Sequence, residues 1–502
     1  MKKLFEGAIH RHFFTIISIF FLLSLVSSQT FAKNSGFIHH GKPAKYIFYF
    51  IGDGTGIPQR TAAEMYLKSV KGKDAELLMN KLPAQGITTT YANNRFITGS
   101  AAAGTALASG IKTNINYIGV DSNLNPVKTI AEMAKNKGKK IGIISSVSID
   151  HATPACFYAH EATRKMYHEI DIDLANSNFD FFGGGGMKDP QGKKSNHPLG
   201  NALKIARKNG FKIIDDKASF KKLNKKSGRV IVFNKNLPDA KAMPYDMDKT
   251  KEDISLSELT EKAIEMLNNR KGFFIMVEGG KIDWACHAND AAAAIKDTIA
   301  FDDSIKAAYK FYKKHPDETL IVVTGDHECG GLTLGFAGTK YDSNFSILKN
   351  QKKSFQYFQD KVLADFKKQH TGKADFNLIR PIITKYFSLK FDNTNSLTSL
   401  KDFEVKELQT AFMKSMAGAV IKKGTADFIL YGGYDPLVVE ITHILNNKAG
   451  LAWTSYSHTG VPVITSALGK GSEIFNGYYD NTDVAIKIMS FIGAKNISLT
   501  LR

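Results

Sequence analysis

The residues best suited to chemistry stand directly after apolar runs. Asp53 follows "KYIFYFI" (45–51), Glu278 closes "GFFIMVE" (272–278), and Asp326-His327 follows "TLIVVTG" (319–325). Thr153 lies just past "KKIGIISS" (139–146). Alone, each has a plain structural use, since Asp and Thr cap helices and turns. Together they put metal-liganding types at four apolar run ends. "EGGKIDWACH" (278–287) adds Asp283 and His287, four residues apart and so on one face of a helix. A carboxylate and an imidazole at that spacing suit Zn²⁺; a surface side-chain pair is the structural alternative.

Ser100 opens an Ala-rich stretch in "FITGSAAAGTALASGIKT" (96–113). Ser is a favoured helix N-cap. A helix N-terminus also offers free N–H groups and positive potential, which hold phosphate and favour an alkoxide. Thr98 stands where the nucleophile elbow G-x-S-x-G needs its first Gly, which disfavours a Ser-His-Asp hydrolase. A dinucleotide loop fails too. From Gly52 the third glycine position holds Ile57, and from Gly54 it holds Gln59.

The elements that must position these residues are legible. "RVIVF" (229–233) joins the apolar runs as a further strand. Helical patterns alternate with them at 60–70, 126–138, 256–269 and 291–315. Continuous apolar strands between amphipathic helices predict an α/β fold, a three-layer α/β/α sandwich around a large, mostly parallel sheet. Ligands then bind beyond the carboxyl ends of the strands, where the acids and histidines fall. From about 340 to 440 long helical patterns dominate, at 354–370 and 398–423, and predict a helical insertion or cap. "GVPVITSAL" (460–468) returns to the sheet. The expected division is 1–32 signal peptide, 33–339 core, 340–440 insertion and 441–502 the last part of the core.

Lys2, Lys3 and Arg11 precede an uncharged, mostly apolar stretch, 13–26, and small residues allow a cut after Ala32. This is a secretory signal pattern, too short to span a bilayer, and it predicts export to a periplasm or the exterior. The chain of 502 residues has 43% hydrophobic and 23% charged residues, ordinary for a globular protein. Its formal charge is +19, with basic runs at 221–229 and 349–355. No nucleic-acid module accompanies them, so a solvated basic face is the favoured reading. Three cysteines, Cys156, Cys286 and Cys329, exclude a disulfide scaffold.

Six motifs in one order resemble the alkaline phosphatase family: "FIGDGTG", "TGSAAAGTALASGIKT", "HATPACFYAHEATR", "VEGGKIDWACH", "VVTGDHECGG" and "SHTGVPV". The resemblance covers about 45–335 and 450–470. It implies hydrolysis of small phosphate monoesters by in-line transfer to Ser100, two Zn²⁺ ions, a third metal that is usually Mg²⁺, and a homodimer by analogy. Asp53, Asp326 and His327 with Ser100 would hold one zinc. Asp283, His287 and His458 would hold the other. Asp53, Thr153 and Glu278 would hold the third metal, and Arg164 would clamp the phosphate. His458 is identified by the resemblance alone. Gly99 replaces the aspartate that commonly precedes the serine, which leaves Arg164 freer. His151 and Trp284 also depart from the family pattern and are expected near the third site, where an imidazole is either a neighbour of the ligands or draws a softer metal than Mg²⁺. The cysteines beside these residues are read as small buried packing groups. A phosphodiesterase or sulfatase on the same fold and a non-catalytic polyanion-binding protein are the rival functions.

Overall fold

The computed structural model of the protein describes residues 38–493 except 373, 374 and 393. The expected signal peptide therefore lies outside the described residues.

Among the described residues fourteen strands follow in chain order: β1 (Tyr46–Gly52), β2 (Ala84–Thr89), β3 (Lys140–Ser145), β4 (Phe181–Gly184), β5 (Phe211–Ile214), β6 (Arg229–Phe233), β7 (Phe273–Glu278), β8 (Thr319–Gly325), β9 (Glu328–Cys329), β10 (Thr333–Leu334), β11 (Leu451–Ala452), β12 (His458–Thr459), β13 (Val463–Gly469) and β14 (Gly477–Asp480). Ten form the central sheet, in the order β14-β2-β13-β8-β1-β7-β3-β4-β6-β5. β13 runs antiparallel to both its neighbours, and every other pair is parallel.

The middle of the sheet is buried on both faces. Along β1, Tyr46, Phe48 and Phe50 enter one hydrophobic core, and Ile47, Tyr49 and Ile51 enter the other. β7 and β8 divide in the same way, with Ile275 and Ile321 on one side and Phe274 and Val322 on the other. This two-sided burial explains why these strands read as unbroken apolar runs. Each such side chain contributes about 1.5–3 kcal/mol on burial. Helices Ile57–Lys71, Leu256–Leu267 and Ala291–Tyr312 cover the first face. Helices Ser100–Ser109, Ile130–Asn136, Tyr167–Asn176 and Asn481–Ile492 cover the second. The result is the expected three-layer α/β/α sandwich.

The strands at 45–51, 139–146, 229–233, 272–278 and 319–325 form within a residue or so of their apolar runs. The 398–423 pattern is only partly helical. Its helix spans Asp402–Met416 and stops at Gly418, whose φ of +65° is the left-handed geometry that ends helices. The helices from Phe355 to Ala449 lie between β10 and β11, which pair with each other. Their apolar faces, through Phe358, Ile379, Leu408 and Leu437, join the first core, and Ala411, Tyr431 and Val439 form a small cluster of their own.

Candidate active site

Strand register sets the geometry of the site. β1, β7 and β8 are adjacent and parallel, with Gly52 opposite Gly325 and Ile51 opposite Glu278. Asp53, Glu278, Asp326 and His327 therefore leave the sheet at one edge, and all four are completely buried. Gly54 has φ +69°, and a Cβ there would stand 2.7 Å from the Asp283 Cα. The backbone after β1 turns tightly against the next ligand-bearing element, and only glycine permits that approach. The Gly54 and His327 N–H groups donate to Asp326 Oδ1 at 3.1 and 2.9 Å and fix that carboxylate.

Asp283 and His287 lie on the helix Lys281–His287, with Oδ2 3.4 Å from Nε2. His458 arrives from far along the chain. β12 pairs antiparallel with β9, so His458 sits opposite Cys329, two residues past His327. Its Nε2 is 3.1 Å from the His287 Nε2 and 3.5 Å from Asp283 Oδ1. Its ring stacks on that of His327 at 3.6 Å. Outer partners orient both imidazoles: His287 Nδ1 faces the Tyr456 carbonyl at 2.7 Å, and His458 Nδ1 faces that of Thr98 at 2.9 Å. With Nδ1–H donating to a carbonyl, each Nε2 keeps a free lone pair, the tautomer a metal needs.

Among the described residues three donor clusters result. Asp283, His287 and His458, joined by Cys329, form one; Asp53, Asp326 and His327 form the second; Asp53, His151 and Glu278 form the third. Within each, the donor atoms lie within 4.8 Å of one another. Asp53 belongs to two of them. These groups carry many orphaned buried atoms: both oxygens of Asp53, Glu278 Oε1, Asp283 Oδ1, Asp326 Oδ2, His327 Nδ1, His151 Nδ1 and Thr153 Oγ1. Buried polar atoms are nearly always paired, so a concentration of unpaired polar atoms, most of them carboxylate oxygens, fits bound cations. The protonation pattern agrees. Burial, then repulsion from Asp326, Asp283 and Glu278, pushes the Asp53 carboxyl far up. Burial and the Asp283 charge do the same to Asp326. Carboxylates so placed ionise only if positive charge compensates them.

Ser100 is the first residue of the helix Ser100–Ser109, and Gly99, not Ser100, occupies the cap. The Ser100 Oγ is buried and 3.4 Å from His327 Nε2. It stands at the positive helix end, against the Asp53/Asp326/His327 cluster. Gly104, one turn on, lets the helix pack on Cys156, which a Cβ would approach to 3.1 Å. Thr153 lies on the short helix Ala152–Ala155 that follows His151.

The chain matches the family profile described as "Alkaline phosphatase" over residues 44–494. It is 33% identical to alkaline phosphatase 4 of Bacillus subtilis over 449 residues, which covers 88% of this chain and 87% of that one. The chain belongs to the alkaline phosphatase family. It is accordingly a phosphoric monoester hydrolase. Among solved structures, the cold-active alkaline phosphatase of Shewanella sp. superimposes with a TM-score of 0.72 at 28% identity, covering 89% of this chain and 99% of that one. A variant of the TAB5 alkaline phosphatase, from an Antarctic bacterium, has a histidine replaced by glutamate and Mg bound in its M3 site. It superimposes at 0.62 with 26% identity, covering 91% of this chain and 99% of that one.

Within this phosphatase, His151 does what the sequence left open. Its Nε2 accepts from Arg164 Nη2 at 2.8 Å, and its Nδ1 lies 3.6 Å from Glu278 Oε1. A neutral imidazole has one lone pair, so in this arrangement it serves Arg164. Arg164 is thereby held without an aspartate before the serine. Trp284 packs edge-on against His151 at 5.9 Å, and the Lys281 ammonium lies 4.6 Å from its ring. Neither Tyr456, whose carbonyl orients His287, nor Ser145, whose hydroxyl bonds Glu278, is visible as functional in the sequence. Cys329 is closer to the donors than its reading as a packing group implied. Its thiol faces the Asp283 carbonyl at 3.7 Å, and burial and the Asp283 charge raise its pKa strongly. Cys156 is pushed up to about 12 by burial and contacts the Ala101 carbonyl at 3.2 Å. No helix among the described residues is long and apolar enough to cross a membrane.

Proposed function

We propose that this phosphatase hydrolyses small phosphate monoesters through a phosphoserine at Ser100, with two Zn²⁺ ions and a third metal, Mg²⁺, as cofactors. The observation that carries it is the buried Ser100 hydroxyl at a helix N-terminus, 3.4 Å from a histidine that shares an orphaned donor cluster with Asp53 and Asp326.

Asp53, Asp326, His327 and Ser100 would hold one zinc; Asp283, His287 and His458 the other; Asp53, Glu278 and Thr153 the third ion. Bound there, such a pair supplies Lewis-acid stabilisation of the attacking and leaving oxygens and lowers the pKa of hydroxyls and water. The chain's own residues do the rest. The helix places Ser100 Oγ, with its N–H groups favouring the developing negative charge. Arg164, held by His151, clamps two phosphate oxygens through its planar fork. Ser100 Oγ attacks phosphorus in line with the ester oxygen, the alcohol departs, and water then releases phosphate from the serine. His327 and His458, stacked and tethered by backbone contacts, keep the donor sets rigid during both transfers. His151 and Trp284 are positioning groups around the third cluster.

We also read residues 340–440 as an insertion in the core, 1–32 as an export signal leading to a periplasmic or extracellular enzyme, and the active form as a homodimer by family analogy. The export reading rests on the N-terminal sequence pattern alone.

The test is purified protein supplied with Zn²⁺ and Mg²⁺ and assayed on p-nitrophenyl phosphate, its bis ester and the sulfate. A strong preference for the monoester is expected. Preference for either other ester would overturn the reading.

A further inference from the structure

At Lys165, the residue after Arg164, the surface opens into a cavity of about 850 Å³. Four lysines line it: Lys165, Lys188, Lys194 and Lys241. Its walls are tied to the loop that carries His151. The Lys188 N–H donates to Asp150, the residue before His151, and Ile149 donates to the Gly186 carbonyl at 3.1 Å. Gly186 in turn donates to the Lys241 carbonyl at 2.8 Å. The charge of Lys188 acts on His151, among the groups that lower its proton affinity, after burial as the main cause. These loops follow β3 and β4, so the cavity lies at the carboxyl edge of the sheet that holds the metal donors.

Two carboxylates, Asp189 and Glu169, also line the cavity, and each is held by hydrogen bonds from the 193–195 loop and not by a lysine ammonium. Asp189 accepts from the backbone of Lys193 and Lys194 at 2.8 and 2.9 Å. Glu169 accepts from Ser195 Oγ at 2.6 Å. Among the described residues no carboxylate pairs with Lys165, Lys188, Lys194 or Lys241. The Lys188 ammonium lies 3.1 Å from the Tyr167 hydroxyl and 4.4 Å from its ring, a contact that positions it without neutralising it. Ala240 and Lys241 form one rim in left-handed backbone, with φ of +42° and +66°. Non-glycine residues take that conformation at a cost, and such strain gathers at ligand-binding rims.

We propose that this cavity receives a second anionic group of the substrate, a phosphate carried on the alcohol portion of the monoester. The inference rests on the phosphomonoesterase reading above. The enzyme then selects phosphate esters of already phosphorylated alcohols, which a centre contacting only the transferred phosphoryl group cannot do. The attraction involves exposed charges, so it weakens as salt rises.

The experiment compares kcat/KM for glucose 1,6-bisphosphate, glucose 6-phosphate and p-nitrophenyl phosphate at low and high salt, with Zn²⁺ and Mg²⁺ present. Wild type is expected to prefer the bisphosphate about tenfold at low salt. A triple variant, Lys165→Gln, Lys194→Gln and Lys241→Gln, should lose most of that preference through a higher KM. A control variant neutralises Lys221, Lys222, Lys225 and Lys226, which lie before β6 at the opposite sheet edge, and should keep the preference. No preference in an active wild type overturns the cavity and leaves the phosphatase reading standing. An equal loss in the control variant also overturns it, because overall charge would then be the cause. Inactivity on all three esters overturns both readings.

Discussion

Asp53 carries the most at the scale of single residues. Its two oxygens are buried without a hydrogen-bond partner, and among the described residues it alone is common to two donor clusters. Asp53→Ala should therefore remove metal from the Ser100 cluster and from the Glu278 cluster together, read by elemental analysis of the purified variant. Loss of one ion alone would contradict the bridging role. His151 makes a different prediction. It offers Glu278 a soft neighbour and gives its lone pair to Arg164. His151→Asp puts a hard oxygen in its place, which suits Mg²⁺ better. Magnesium affinity should rise several-fold, measured by calorimetric titration of the zinc-loaded protein. The acids and Asp283/His287 were legible because they stand at strand ends or at helical spacing. His458 was not, since fourteen histidines share no local pattern and a two-residue strand delivers this one. The same holds for the Arg164–His151 contact, which joins residues thirteen apart across a loop.

At the scale of elements, the turn after β1 and the Lys281–His287 helix are fitted to each other. Gly54→Ala would bring a methyl to 2.7 Å from the Asp283 Cα in a backbone geometry that alanine resists. The cost should be about 1–3 kcal/mol, with weakened metal binding at the Asp283 cluster. Zinc titration and thermal unfolding of the variant check both parts. Normal zinc affinity would show that the close approach is not required. The buried strands were readable from composition because both faces are covered. β2, β4 and β5 were not read. β4 is "FFGG" and β2 alternates buried and exposed positions near the sheet margin, so neither forms an apolar run. A helix cap was the plain structural alternative for Ser100, and Gly99 takes that place. A single position separates the two, beyond what propensity resolves.

For the whole molecule, four fully or nearly fully buried carboxylates at one sheet edge make the ions part of the fold's stability. A ligand present at a hundred times its Kd stabilises by about 2.7 kcal/mol. Chelation should lower the unfolding temperature by several degrees, and zinc with magnesium should restore it. An unchanged unfolding temperature would show that the donor clusters hold no ion that matters to folding. The layer order and mostly parallel sheet followed from alternating apolar runs and helices. The packing of most of the 340–440 helices on the first core did not, because their polar sequence gives no sign of which layer they join.

Trapping the covalent intermediate tests the central claim most directly. The metal-loaded enzyme is mixed with a labelled phosphate monoester, quenched in acid and mapped by mass spectrometry. Phosphate is expected on Ser100 alone, and Ser100→Ala should carry none while losing at least about a thousandfold in activity. Phosphate on another residue, or full turnover by Ser100→Ala, would contradict it.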